Sequence, residues 1–344
     1  MESKKITYYY WIDNIKLFAC ILVVVGHFAM SMSSAGLTEY SPTYYFFIQS
    51  IYTYHVPLFF VCSGFLYQKS NRVHGFSNWK DSVKSKFLNL SIPYFTFTII
   101  TLLIKTLFSN EVNTQAGGFL TTLFINPTAP YWYLYALFFM FLIIPNFKTK
   151  KGASILLSIS IAFVIIYIIL VQFKITVPYI IRSYLGRLVW FAIGIFIAFD
   201  DERKISLFEK ILCPVSFAAA IILCFIFYTT PNNDNILKYV IGILFVYSIV
   251  IFSRLFQPEL INKTAKKFSE YFMPVFLMHT IFCAGIRILL LKLNITNIVI
   301  HSVLGLSFAF AIPIIIYNIS KKIPFLLFFI YPKKAIAQIK HKNI

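Results

Sequence analysis

Charge is what this chain lacks most. Asp, Glu, Lys and Arg together make up 12% of its 344 residues, about half the ~25% usual for soluble domains. Acidic residues are scarcer still, 12 against 31 Lys and Arg. With 59% hydrophobic residues and a mean hydropathy of +0.78, the chain has too little polar surface to cover a soluble fold, and a soluble globular protein is excluded. Cysteine is sparse too. Cys20, Cys62, Cys213, Cys224 and Cys283 all lie within apolar runs. They lack the spacing of a disulfide framework or a metal site and read as buried thiols. There is no internal repeat, no low-complexity linker and no stretch long enough for a domain outside the apolar runs. What is abundant is aromatic: 39 Phe and 22 Tyr exclude disorder.

The apolar residues fall into runs. A bilayer span needs about 20 mostly apolar residues, and ten candidates are present, at 10–32, 44–67, 87–108, 131–147, 153–172, 185–199, 211–229, 236–253, 270–292 and 297–319. The fourth and sixth are short. This predicts an all-α, polytopic membrane protein of about ten transmembrane helices in one bundle, with a transmembrane domain over 1–320 and a basic tail over 321–344.

The connections alternate in charge. The N-terminus carries Lys4 and Lys5; loop 68–86 carries Lys69, Arg72, Lys80, Lys84 and Lys86; and segments 148–152, 200–210, 254–269 and the tail are also basic. The intervening loops hold only Lys174 and Arg182. Positive residues collect on the cytoplasmic side of membrane proteins, so both termini are expected inside. That asymmetry accounts for most of the net charge of +19 without a nucleic-acid partner. Asp13, Lys16 and His27 interrupt the first apolar run, which therefore reads as a retained span rather than a signal peptide.

Ionisable groups inside a bilayer are expensive and mark functional candidates. Lys16 and His27 are 11 residues apart, within 20° of three full helical turns, so they share a face about 16 Å apart along the axis. Lys16 either snorkels to the interface or acts on a ligand. His27 either bonds a neighbouring helix or accepts a proton. Asp13 is placed to pair with Lys16. In the second span, His55 sits near mid-depth, two residues before Pro57, which removes a backbone donor. Ser63-Gly64 permits close approach of either a helix or a ligand. Lys69 and Arg72, just beyond, serve orientation and anionic lipid or form a phosphate cradle. In the ninth span His279 again lies near mid-depth, two turns from Arg287. Arg187 and Arg287 face an outer cavity for a polar acceptor or snorkel. Trp132 and Tyr133 read as an interfacial aromatic belt, and His301 as structural.

In order, Lys16 to His27, the string His55-Val-Pro57-Leu-Phe59-Phe60-Val-Cys-Ser63-Gly64-Phe65-Leu66, Trp132-Tyr133-Leu134, Gly186-Arg187 with Trp190-Phe191-Ala-Ile-Gly194, and Tyr271 through His279 resemble the acyltransferase-3 family of bacterial membrane acyltransferases, many of which O-acetylate polysaccharides. The resemblance runs the full length. It implies a multi-pass protein of the bacterial cell membrane that moves an acetyl group from cytoplasmic acetyl-CoA to a hydroxyl of a cell-surface or lipid-linked glycan. Acetyl-CoA would be a substrate, with no permanently bound cofactor and no metal. His27 matches the family's essential histidine. Lys16 takes a basic position that is Arg in many relatives, a point charge in place of a fork. Some relatives append an extracytoplasmic esterase-like domain, and none is expected here. On this expectation Lys16, Lys69, Arg72 and Ser63 meet the donor, His27 is general base or nucleophile, and His55, His279 and Arg187 position substrate or relay a proton. The rival readings are an exporter or flippase without acyl-transfer chemistry, and a structural or regulatory subunit of a biosynthetic complex.

Overall fold

In a bilayer every backbone polar group must be satisfied from within the protein, and a helix does this within one segment. The computed structural model describes residues 8–38, 41–70, 76–229 and 235–342, and among these it is helical, with no strand. Among the described residues nine helices are long and apolar enough to cross a membrane. They are α1 (Tyr10–Ser34), α2 (Pro42–Lys69), α4 (Ile92–Leu107, joined through a π turn at Phe87–Ser91 to α3, Phe76–Lys86), α7 (Lys150–Gln172), α8 (Tyr179–Ile197), α9 (Leu207–Thr229), α10 (Asn235–Leu255), α12 (Phe272–Lys292) and α13 (Ile298–Ser320). Shorter helices are α5 (Phe119–Phe124), α6 (Trp132–Ile143), α11 (Glu259–Phe268), α14 (Pro324–Phe328) and α15 (Pro332–Lys342). The π turn precedes Pro93, which has no N–H to give.

The expected fourth span is the exception. α6 has 12 residues, about 18 Å at 1.5 Å per residue, short of the ~30 Å hydrocarbon core. It stops because Ile144 precedes Pro145 and takes an extended conformation (φ −85°, ψ 120°), as residues before proline do. The non-helical backbone that follows is held by α2. Tyr67 donates to the Ile144 carbonyl at 2.7 Å. Gln68 donates to the Phe147 carbonyl at 2.7 Å and accepts from its N–H at 3.1 Å.

α2 lies at the centre of the largest core, with Leu58, Phe60, Val61 and Phe65 fully buried. Its contact with α8 is backbone to backbone. A Cβ on Gly64 would sit 2.1 Å from the Phe191 carbonyl oxygen, and one on Gly194 would sit 2.0 Å from that of Val61. The small pair at Ser63-Gly64 thus serves helix packing at its glycine. A second core joins α4, α6, α12 and α13 to the segment after residue 320. That segment is no free tail: Leu327, Ile330 and Ala335 are buried, and Tyr331 donates to the Glu270 carbonyl at 2.8 Å. All five cysteines are buried and unpaired. α7, α9 and α13 instead expose rows of Ile, Val and Phe, such as Ile165, Ile222 and Val303, suited to lipid.

Gly64→Ala and Gly194→Ala are each expected to lower stability by about 1–3 kcal/mol, the usual penalty of overpacking. Gly285→Ala, where a Cβ meets nothing within 4 Å, is the control. Thermal unfolding of the purified protein in one detergent compares the three.

Candidate active site

Three histidines from three helices meet inside the bundle. On α1, Gly26 lets α2 come close: a Cβ there would lie 3.3 Å from the Tyr52 ring. His27, the next residue, therefore packs against α2, with Tyr52 edge-on at 5.9 Å between ring centroids. Tyr52 in turn lies edge-on to His55 at 4.9 Å. α12 brings His279, whose ring centroid is 5.2 Å from that of His27. His55 and His279 are 1% and 0% exposed.

Hydrogen bonds fix the tautomers of two of these rings. His55 Nδ1 lies 2.6 Å from the Ile51 carbonyl oxygen. His279 Nδ1 lies 2.9 Å and 3.0 Å from the carbonyls of Val275 and Phe276. A carbonyl only accepts, so both Nδ1 atoms carry hydrogen, and in the neutral rings Nε2 keeps its lone pair. His279 Nε2 is buried with no hydrogen-bond partner among the described residues. His27 makes no hydrogen bond or ion pair to any described residue, and its exposure is intermediate.

That exposure opens onto a cavity of about 1010 Å³. It is lined by Val23, His27, His55 and Tyr133 and by Lys105, Trp132 and Arg287. It reaches the exposed loop residues Asn113 to Gln115, at the end of the bundle opposite the lysine-rich segments. At the lysine-rich end is a second pocket, of about 570 Å³, lined by Tyr8 to Trp11, Asp201, Arg203, Lys204, Lys210 and Arg254. Two of its cations are already engaged. Arg203 grips Glu209 with two bonds of 3.0 Å and 2.6 Å, and Arg254 donates to the carbonyls of Asp200, Asp201 and Arg203. Lys204 and Lys210 have no ion pair among the described residues. Burial, and then the Asp201 carboxylate beside it, push the Tyr9 phenol up to about 12, so it remains a donor at neutral pH.

The other candidates are dispersed. Lys16 lines neither cavity, and Asp13 accepts from Tyr8 rather than pairing with it. Arg72, like Lys4 and Lys5, lies outside the described residues. Ser63 bonds the Tyr133 hydroxyl at 3.0 Å, inside the bundle. Tyr133 thus reaches inward to α2, where the sequence suggested an interfacial belt. Arg187 donates to Ser183 Oγ at 2.7 Å and stacks 4.3 Å above the Trp132 ring. It does not line the cavity but supports a residue that does. His301 donates to the Ile295 carbonyl at 2.8 Å, a structural bond. Sequence reasoning missed Tyr52 and Lys105. Tyr52 is three residues before His55 and so on its face, and Lys105 is the one charge within the third apolar run.

Lys69 forms an ion pair with Asp201 at 3.2 Å. If that pair is structural, Lys69→Met and Asp201→Asn are non-additive in unfolding free energy, with a coupling of up to about 1 kcal/mol. A double-mutant cycle by thermal or denaturant unfolding reads this directly, and additive losses would release Lys69 for a ligand.

A family model for an acyltransferase domain, acyltransferase-3, matches residues 9–318. No curated protein and no solved structure gives a significant match. With nearly its whole length matched, the chain belongs to the acyltransferase-3 family, and it is a multi-pass membrane acyltransferase.

Proposed function

We propose that this acyltransferase-3 protein takes an acetyl group from cytoplasmic acetyl-CoA and passes it to a hydroxyl of a cell-surface or lipid-linked glycan, in the bacterial cell membrane. The observation that carries the reading is His27. It lines the 1010 Å³ cavity, makes no hydrogen bond to any described residue, and lies against the His279 ring. A polyhydroxylated acceptor suits that cavity, whose wall alternates aromatic faces (Trp132, Tyr133, Phe276) with hydroxyl and amide groups (Thr101, Asn113, Gln115). The lysine-rich end, where Lys204 and Lys210 have no ion pair among the described residues, suits the phosphates of the donor. Lys16, Lys69 and Arg72 lie on the same side in sequence and are the further candidates there.

Two routes fit the geometry. As general base, a His27 nitrogen takes the proton of the acceptor hydroxyl while its oxygen attacks the thioester carbonyl. The C–S bond then breaks, and the CoA thiolate recovers the proton from the imidazolium. As nucleophile, the His27 nitrogen itself attacks the thioester and expels the thiolate, and the hydroxyl then takes the acetyl group from the acyl-imidazole. In both routes the Nε2 lone pairs of His55 and His279 are proton acceptors close to His27.

His27→Ala is expected to cut transfer of labelled acetyl from acetyl-CoA to a glycan pool by about a hundredfold to ten-thousandfold, with unfolding temperature and membrane insertion unchanged. Full activity in that variant would sink the assignment. Rapid quenching without acceptor separates the routes: acetyl label on the wild-type protein but not on His27→Ala identifies the acyl-imidazole.

A further inference from the structure

We propose that the large cavity takes an acceptor carrying an anionic group, a carboxylate or a phosphate, and that Arg287 and Lys105 recognise that group. The word acceptor rests on the acyl-transfer reading above; the anion site stands on the geometry alone.

Arg287 lines the cavity and is only 3% exposed. Its partners are all neutral. It donates to Ser31 Oγ at 2.6 Å and, at longer range, to the carbonyls of Ser31 (3.5 Å) and Glu111 (3.4 Å). Its Nε–H is buried with no partner among the described residues. A guanidinium has five donors in a fork that matches carboxylate or phosphate, and a buried charge without a counter-charge is strongly unfavourable. This one is held half-satisfied beside an empty volume large enough for a sugar.

Lys105 lines the same cavity from α4. Its Nζ donates to Thr114 Oγ1 at 3.0 Å and meets no carboxylate among the described residues. Lys292, at the rim, is already paired with Glu111 at 2.9 Å. Among the described residues no Asp or Glu lines the cavity. Two cations therefore face this space without a counter-ion from the described residues, and Glu111 is neutralised by a third. A neutral sugar leaves that field unused. An anion on the acceptor completes it and also fixes which hydroxyl is turned toward His27.

The test uses full-length protein in nanodiscs of neutral phosphatidylcholine and three sugars that differ only at C6: methyl glucuronide, methyl glucoside 6-phosphate and methyl glucoside. Affinities come from competition in saturation-transfer NMR, and transfer of labelled acetyl to each sugar is followed in parallel. The expected result is that at least one anionic sugar binds about tenfold tighter than the neutral one, as for a hydrogen bond to a charged group. Lys105→Gln is expected to remove most of that preference. Arg287→Gln is expected to do the same, and since it also breaks the Ser31 contact, the half-buried Lys105 variant decides if it fails to fold. Preference for the glucuronide assigns a carboxylate, and preference for the phosphate assigns a phosphoryl group. Equal affinity for all three sugars, no binding of either anion, or a preference that survives Lys105→Gln overturns the proposal. Transfer without charge preference would overturn the anion site and leave the acyltransferase reading standing. Charge preference in binding without transfer to any sugar would do the reverse.

Discussion

The arrangement depends on one contact, the backbone-to-backbone approach of α2 and α8 at Gly64 and Gly194. Without a hydrophobic drive between helices in lipid, close packing of small residues is what brings them together. With α8 seated there, Phe191 and Trp190 fill the core around α2, and Arg187 lies on Trp132. The same helix, α2, presents His55 near its middle and Tyr67 and Gln68 at its end, where they hold the extended segment after α6. One helix thus carries part of the candidate site and replaces the backbone bonds that proline denies its neighbour.

Much of this was legible in the sequence, for a physical reason. A run of apolar residues near bilayer length has few alternatives to a helix, and nine of the ten expected spans are such helices. The sequence put His55 and His279 near mid-depth, and the structure gathers both of them around His27. What could not be read was local. The stop of α6 is encoded by Pro145 acting on Ile144, a single-residue effect inside an apolar run that hydropathy does not register. The segment after 320 looked like a basic tail because its lysines outnumber its anchors, yet Leu327, Ile330 and Ala335 suffice to bury one side of it. Tyr133 has the composition of an interfacial belt; only the neighbour it bonds, Ser63, shows that it points inward.

The two ends of the bundle treat positive charge in opposite ways. At the lysine-rich end most of the described cations near the pocket are tied to carboxylates or carbonyls: Lys69 to Asp201, Arg203 to Glu209, Arg254 to three carbonyls. At the other end there are few cations, and Arg287 and Lys105 have no carboxylate among the described residues. Charge that orients a protein in a membrane is cheap, exposed and plentiful, whereas charge inside a cavity is sparse and costly to keep. The sequence shows the first kind as a pattern and the second only as single residues.

The bonds from His55 and His279 to carbonyls of the preceding turn have a stereochemical consequence. Each ring is anchored through Nδ1, so it cannot turn over without giving up its bond. Of the two, His55 lines the cavity, so an electrophile entering there meets its Nε2 and not Nδ1, and the adduct on that ring forms as one regioisomer. For a covalent reagent aimed at this cavity, selectivity among the histidines is decided by the line of approach and not by basicity.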